Sequence, residues 1–375
     1  MKKILMSGIT GLVGSAFATE LLWRDKNAHI MALARGQGNK DAKTRVEEAI
    51  KEQCEFDGRP DFATEAIKRI EVLKRNISSH IPSKTIDNLK GIETIFHCAA
   101  DVNLGKDPFG KTYINNYQGT KNMIKTAQKL GVNNFHMVST AYVAGKAEGI
   151  VYEDGLVPNI GFNNAYEKSK YNSEILIRES GLTYSIYRPS IVVGRIKDGK
   201  IRKPLAFYRI LEFLAKLKKQ QCAKLHLEPN ARLEMDLRLV TKKSDKIYFV
   251  PIDYVQNTIT DLFLIAPKNK TYHITGRGPG SVDDIETVVK NALKIDGLSV
   301  VEKVNKQTIK EKLIHKFLGD LLPYFASEIT FDIQNVIDEL GEDDLNWTVS
   351  LEQLTIIINE FYKNVYPEIL SNNEF

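Results

Sequence analysis

Tyr166 and Lys170 stand four residues apart in a segment, Ala165 to Ser180, whose composition predicts a helix, so both side chains leave one helical face. A tyrosine with an ordinary pKa of about 10 is a poor proton shuttle at neutral pH, and a nearby ammonium favours its phenolate. The pair reads as acid–base machinery. Near the N-terminus, Gly8, Gly11 and Gly14 recur at every third position of Ser7-Gly8-Ile9-Thr10-Gly11-Leu12-Val13-Gly14. They lie between a short apolar run and a helical pattern. There the absence of side chains lets backbone approach a pyrophosphate, held by the unpaired N–H groups of a helix N-terminus. The spacing is GxxGxxG, not the commoner GxGxxG.

These groups need a scaffold, and the hydrophobic pattern supplies one. Lys3 to Ser7 reads as a first strand and Leu12 to Trp23 as a helix. Further strands are expected at His29–Ala34, Ile70–Leu73, Thr94–Cys98, Phe135–Ser139 and Tyr184–Tyr187. Helical composition falls at Asp41–Gln53, Asn116–Leu130 and Ala165–Ser180. Short apolar strands alternating with helices of ten or more residues imply βαβ units around a parallel sheet, a doubly wound α/β architecture. After Pro189 the rhythm changes. Phe207, Ile210, Leu211, Leu214 and Leu217 form a helical stripe, with Pro204 near its start. Phe249–Asp253 and Thr271–Ile274 read as strands rejoining the main body, and Val282–Leu293 as a helix. The division expected is 1–194 for the nucleotide-binding part, with return elements near 246–275, and 195–375 for a smaller region packed over it.

The 375 residues are 43% hydrophobic and 26% charged, the profile of an ordinary globular protein with ample length for a core. No apolar run reaches the roughly 20 residues of a spanning helix. Lys2 and Lys3 before an apolar stretch imitate a secretion signal, but the three glycines interrupt it. Cys54, Cys98 and Cys222 have no metal-ligand or CxxC spacing and read as reduced thiols of a cytoplasmic protein. Seven histidines give no metal-binding spacing, so no metal site is expected; His97 and His136 fall in strands and read as packed. Ser139 is not in a GxSxG elbow. The net charge of +5 conceals a polarity. Residues 324–375 carry eleven carboxylates and one lysine, whereas residues 195–224 carry ten Lys or Arg and two acids. No nucleic-acid-binding pattern accompanies the basic block, so nucleic acid is not an expected partner. The stripe at 207–217 reads as a packing or tunnel wall, with peripheral membrane contact not favoured.

The second strand ends Ala32-Leu33-Ala34-Arg35, with Arg45 ten residues on and no acid before Asp41. An acid there suits the ribose hydroxyls of NAD; a guanidinium suits the 2′-phosphate of NADP, which it can grip bidentately. Four further strings complete a pattern: His97-Cys98-Ala99-Ala100-Asp101-Val102-Asn103, Asn116-Tyr117-Gln118-Gly119-Thr120, Val138-Ser139-Thr140-Ala141-Tyr142-Val143 and Tyr187-Arg188-Pro189-Ser190-Ile191-Val192-Val193-Gly194. With the glycine turn and Tyr166-Glu167-Lys168-Ser169-Lys170, these resemble the extended short-chain dehydrogenase/reductases, and within them the fatty acyl-CoA reductase and thioester reductase branch. The resemblance is strong over about the first 195 residues, with Pro251-Ile252-Asp253-Tyr254-Val255 and Tyr272-His273-Ile274-Thr275 as later echoes. It departs from the family at Arg75-Asn76-Ile77, where Gly-Asp is usual, and at Arg195, where an acid often stands.

The resemblance implies a Rossmann fold, NADP(H) as cofactor and Thr140, Tyr166 and Lys170 as the catalytic groups. The cofactor residues it implies are Gly8, Thr10, Gly11, Leu12, Val13, Gly14, Arg35, Arg45, Asn76, Ile77, Ala99, Ala100, Asp101, Asn116, Ser139, Pro189, Ser190 and Ile191, together with Tyr166 and Lys170. The activity implied is NADPH-dependent reduction of an acyl thioester, on coenzyme A or an acyl carrier protein, to an aldehyde or, by a second hydride transfer, to an alcohol. The basic block at 195–224 is expected to dock the carrier's acidic surface or the coenzyme A phosphates. Alternatives on the same scaffold are a nucleotide-sugar epimerase or dehydratase and a hydroxysteroid-type dehydrogenase. A non-catalytic NADP-binding regulator is a third, disfavoured because every catalytic position is filled.

Overall fold

The computed structural model describes residues 2–370 apart from 80, 83, 84, 87, 88, 242–244, 326 and 343–347. Its centre is a seven-stranded, wholly parallel sheet. The strands are β1 (Lys2–Ser7), β2 (Ala28–Ala34), β3 (Ile70–Lys74), β4 (Thr94–His97), β5 (Asn134–Val138), β6 (Thr183–Pro189) and β7 (Lys270–Ile274). Their order is β7-β6-β5-β4-β1-β2-β3. The direction of winding reverses between β1 and β4. In open α/β sheets the crevice beyond the carboxyl ends of the strands at such a point is where ligands bind.

Alternation of side chains along the strands builds two cores. Ile4, Met6, Phe96 and Tyr187 face one side of the sheet, where helix α1 (Leu12–Arg24) brings Phe17 and Leu21. Leu5, Ile95, Phe135 and Ile186 face the other, against α2 (Lys111–Leu130) and α3 (Ala165–Arg178), which bring Met123, Ile124 and Ile177. The rings of Phe17 and Phe96 stack at 3.7 Å between centroids. A third core belongs to the second part of the chain. Helix α4 (Phe207–Lys224) and α6 (Val282–Leu293) meet there with the parallel strand pair Leu233–Val240 and Ile295–Val301.

Two elements differ from the sequence expectation. The segment expected as strand Phe249–Asp253 is strand only to Pro251, and from Ile252 to Leu264 it is a helix, α5. Proline suits a helix entrance, and Ile252, Val255, Ile259 and Leu262 then fall on one buried face. Helix α2 begins at Lys111, not Asn116, so Asn116 lies in its second turn. Gly110 precedes it at φ 63°, and the Asp107 carboxylate takes the N–H groups of Thr112 and Tyr113, so the capping acid stands outside the motif that suggested the helix. The stripe at 207–217 is interior: Phe207, Ile210, Leu211 and Leu214 are buried. Among the described residues no helix is long and apolar enough to cross a membrane.

Candidate active site

The glycine turn joins β1 to α1 against the end of β4. Gly8 has φ +85°, and a Cβ on it would come within 2.5 Å of the Ala99 backbone nitrogen. A Cβ on Gly14 would lie 2.1 Å from the Gly8 carbonyl oxygen. Both glycines are thus required by the close packing of turn, strand and helix. Gly11 differs: a Cβ there meets only the Gly8 oxygen, at 3.2 Å. It caps α1 without a side-chain hydrogen bond and faces a cavity of about 470 Å³.

Leu12, Val13, Gly14, Ala100, Pro189, Ser190 and Ile191 line the same cavity, as do Ser139, Thr140, Tyr166 and Lys170. Three elements converge to supply the last four. Strand β5 ends at Val138, delivering Ser139 and Thr140 to the crevice. Helix α3 starts at Asn164, whose side chain caps the Glu167 N–H at 3.0 Å, so Tyr166 sits in the first turn and Lys170 one turn later. Asn116 ties the pieces together. Its amide donates to the Asp101 carbonyl at 3.1 Å and to Ser169 Oγ at 2.9 Å, and accepts from the Asp101 N–H at 2.7 Å.

Lys170 is buried and donates from Nζ to the Val138 carbonyl at 2.7 Å. Burial lowers its pKa to about 8, with Cys98 and Glu174 opposing the fall. Tyr166 moves the other way. Burial raises its phenol above the ordinary value, and a hydrogen bond with the Thr140 side chain offsets part of the rise. The sequence argument expected the lysine to depress the tyrosine; in the folded chain desolvation prevails, and the phenol keeps its proton at neutral pH. His97 and His136 are packed groups, held neutral by burial at pKa values near 3. His97 bonds Ser7 Oγ at 2.7 Å, and His136 bonds the Tyr187 hydroxyl at 2.8 Å. The three cysteines are free thiols. Cys98 borders the cavity with its pKa pushed up to about 12 by burial. No cluster of metal-binding side chains occurs among the described residues.

A second concavity opens beyond the end of β2. Arg35, Gly36, Lys40, Lys74, Arg75 and Asn76 are among its walls. The two sites lie at the ends of neighbouring strands, as a dinucleotide with an adenosine end and a reacting end requires. The residues fit such a group on the chain's own geometry: bare backbone at Gly11, a cationic rim at Arg35, and Ser190 Oγ, which is buried in the main cavity with no hydrogen-bond partner. The model of the male sterility protein family, an NAD-binding family, matches residues 6–259, a span that holds the glycine turn, Thr140, Tyr166 and Lys170. The chain belongs to this family.

A carboxylic acid reductase of Segniliparus rugosus is 25% identical over 291 residues, which are 70% of this chain and 23% of the relative. The chain spans about a quarter of the length of the curated relatives it matches first. Among solved structures, the terminal R domain of the myxalamid PKS-NRPS biosynthetic pathway superposes with a TM-score of 0.76 at 20% identity, covering 98% of this chain and 92% of that one. A thiolation-reductase di-domain of an archaeal non-ribosomal peptide synthetase gives 0.68 at 20% identity, covering 97% and 91%. At those identities the likeness establishes the fold.

Several residues expected at the cofactor line neither concavity. Arg45 braces the loop, donating to the Arg35 carbonyl at 2.5 Å. Ile77 packs against Gly119, whose added Cβ would meet it at 2.9 Å. Gly8 and Ala99 shape the turn from behind, Asp101 and Asn116 bond each other, and Thr10 offers its carbonyl to Lys203.

Much of the basic block expected to dock a carrier or coenzyme A is engaged within the chain. Arg195 pairs with Asp198 and lies over the Phe56 ring; Lys216 pairs with Glu212 and Lys219 with Glu368. Lys218 is buried and donates to the Leu293 carbonyl at the end of α6. Two members reach the glycine turn instead. Arg202 pairs with Glu52 at 2.8 Å and donates to Gly11 O at 3.2 Å, and Lys203 Nζ donates to Thr10 O at 2.7 Å. The sequence reading missed these two at the cofactor side, although their charge was visible. It also missed the walls Tyr142, Leu205, Leu321, Tyr324 and Phe325. Nothing in the sequence announces that residues 321–325 border Tyr166.

Proposed function

We propose that this chain is an NADPH-dependent reductase of acyl thioesters, releasing an aldehyde and a thiol. The observation that carries the reading is one cavity in which Thr140, Tyr166 and Lys170 meet the glycine turn on one side and an apolar wall of Leu104, Leu205, Phe207 and Phe325 on the other. The 23–25% identity with a carboxylic acid reductase and with an aldehyde reductase of Aspergillus flavus supports it. So does the likeness to reductase domains of carrier-based synthetases, which also makes a carrier-bound thioester a natural substrate. A nucleotide sugar would bring hydroxyls to that apolar wall and leave them unpaired, which disfavours an epimerase.

Bound NADPH supplies a hydride to the thioester carbonyl carbon. Thr140 and Tyr166 are the donors for the carbonyl oxygen, and their alignment favours the charge that develops there over the ground-state carbonyl. Tyr166, protonated at neutral pH, is the acid that a reduction needs. Tyr166 gives its proton to the oxyanion, forming a hemithioacetal. The C–S bond then breaks, the hydroxyl proton passes through Tyr166 to the leaving sulfur, aldehyde and thiol result, and a proton from solvent restores the Tyr166 phenol. Lys170, anchored on Val138 O, holds the ribose hydroxyls and keeps the tyrosine in place. Arg35, with Arg75 and Lys40 beside it, supplies the cationic grip on the 2′-phosphate. A second reduction of the aldehyde at the same groups gives the alcohol.

The test is NADPH oxidation followed at 340 nm against a panel of acyl-CoA and acyl-carrier thioesters, with UDP-sugars as the contrasting panel. Free thiol is expected with one NADP⁺ for each aldehyde formed and two for each alcohol. Turnover of a UDP-sugar without net cofactor consumption overturns the proposal.

A further inference from the structure

Tyr166 is the second residue of α3, in the turn whose N–H groups have no partner inside the helix. Its direction therefore depends on what caps that turn. One end of the Asn164 amide accepts from Glu167 N at 3.0 Å. The other end donates to the Tyr324 hydroxyl at 2.8 Å, 160 residues away in the chain. That hydroxyl also interacts with the Glu167 side chain, so Asn164, Tyr324 and Glu167 are linked in a ring that spans Tyr166.

The ring lies in the interior. Tyr324 and Glu167 are buried, and the two Glu167 oxygens accept from Asn163 N at 2.8 Å and from its side-chain amide at 3.2 Å. The aromatic rings of Tyr324 and Tyr142 meet edge-on, 4.7 Å apart at 86°. Burial raises the Tyr324 phenol, which therefore keeps the proton it offers to Glu167. Tyr324 belongs to the short turn Leu322–Tyr324, between the helix Ile309–Leu318 and the strand Ile329–Phe331 that pairs with Gly149–Val151. The carboxyl-terminal part of the chain thus reaches the first turn of α3. Lys170, one turn on, has its own anchor at Val138 O.

We infer that Tyr324 is a positioning residue for Tyr166: held between Asn164 and Glu167, its hydroxyl fixes the first turn of α3 and so aligns the Tyr166 phenol with Thr140 and the substrate carbonyl. The inference rests on the reductase reading for the step that Tyr166 serves. Tyr324 borders the cavity, but its hydroxyl is committed to Asn164 and Glu167, so it acts through Tyr166 and not on the substrate. Loss of the hydroxyl leaves a buried amide donor unpaired and frees the turn. Cofactor binding through Lys170 is untouched by that loss.

The test compares Tyr324→Phe, which keeps the ring against Tyr142, with Asn164→Ser, which keeps a capping oxygen but has no amide for Tyr324. Each is expected to lower kcat for thioester reduction about 10-fold, the cost of a slightly misplaced reacting group, with NADPH affinity unchanged. The double variant should lose no more than either single one, since both break the same tie. Hydrogen–deuterium exchange of the amides at 165–168 needs no turnover, and each variant should speed it about fivefold, the worth of a helix cap. Asn164→Ser serves alone if Tyr324→Phe fails to fold. Faster exchange that does not multiply in the double variant supports the tie even if no thioester is reduced, in which case the reductase reading alone falls. Unchanged exchange, or unchanged kcat in a protein that reduces thioesters, overturns the role and spares the reductase. Losses of kcat, NADPH affinity and melting temperature in parallel identify plain structural support and overturn it too.

Discussion

Lys203 Nζ donates to the carbonyl of Thr10 at 2.7 Å, a bond that reaches from the segment before α4 across to the glycine turn. A carbonyl dipole is a weaker partner for an ammonium than a phosphate is. Lys203 also lines the main cavity beside Gly11. Replacing it with methionine is expected to weaken NADPH and NADH alike, by roughly 3- to 10-fold, since both carry the diphosphate. Fluorescence titration of each cofactor checks this. An effect confined to NADPH would assign the lysine to the 2′-phosphate instead.

Arg35→Ala should behave in the opposite sense. Loss of paired charge-assisted bonds at the end of β2 is expected to raise the NADPH dissociation constant at least about 30-fold and to change NADH little. Arg75→Ala, at the neighbouring strand end, should show a weaker form of the same selectivity. Equal use of both cofactors by the unaltered protein would refute the assignment.

Tyr166→Phe removes one oxygen from the cavity and leaves the ring. We expect kcat to fall at least about 10²-fold while NADPH still binds, the usual range for an acid–base group. Near-normal turnover by this variant would sink the mechanism.

The pH dependence of cofactor binding should report Lys170. If Lys170 holds the ribose as proposed, its ammonium is the donating form, and burial places its titration at about 8. Affinity for NADPH is therefore expected to be full below that value and to decline as pH rises through it. Lys170→Arg, which stays charged throughout, should flatten the decline, and Lys170→Ala should lower both affinity and turnover. A profile that is level from pH 6 to 10 would show that the amine does not touch the cofactor.

Gly14→Ala tests the turn itself. The new Cβ would press to within 2.1 Å of the Gly8 carbonyl oxygen, backbone against side chain with no flexible end to yield. A lower melting temperature together with cofactor affinity reduced more than tenfold is expected, whereas Gly11→Ala should lose affinity with little change in melting temperature. Calorimetry and titration on the two variants separate the glycine that packs from the glycine that faces the ligand.

Local sequence determined much of the frame. The glycines at every third position, the alternating apolar strands and the Tyr–Lys spacing of four are properties of short windows, and short windows are enough to specify a βα turn, a strand face or a helical face. Even the error at Ile252 and Asp253 was local, because Pro-Ile-Asp-Tyr-Val is as apolar as a strand, and those two residues open a helix that packs on α1. What tertiary structure alone decided is which distant segments share a surface. It directed two cations of the basic block, Arg202 and Lys203, onto the glycine turn and paired Lys219 with Glu368. It also brought Leu321, Tyr324 and Phe325 to the side of Tyr166, more than 150 residues away in the chain. Burial, too, exists only after folding, and it reversed the expected pKa of Tyr166: a charge pair can be read from spacing, but the solvent taken from around it depends on every element that packs there.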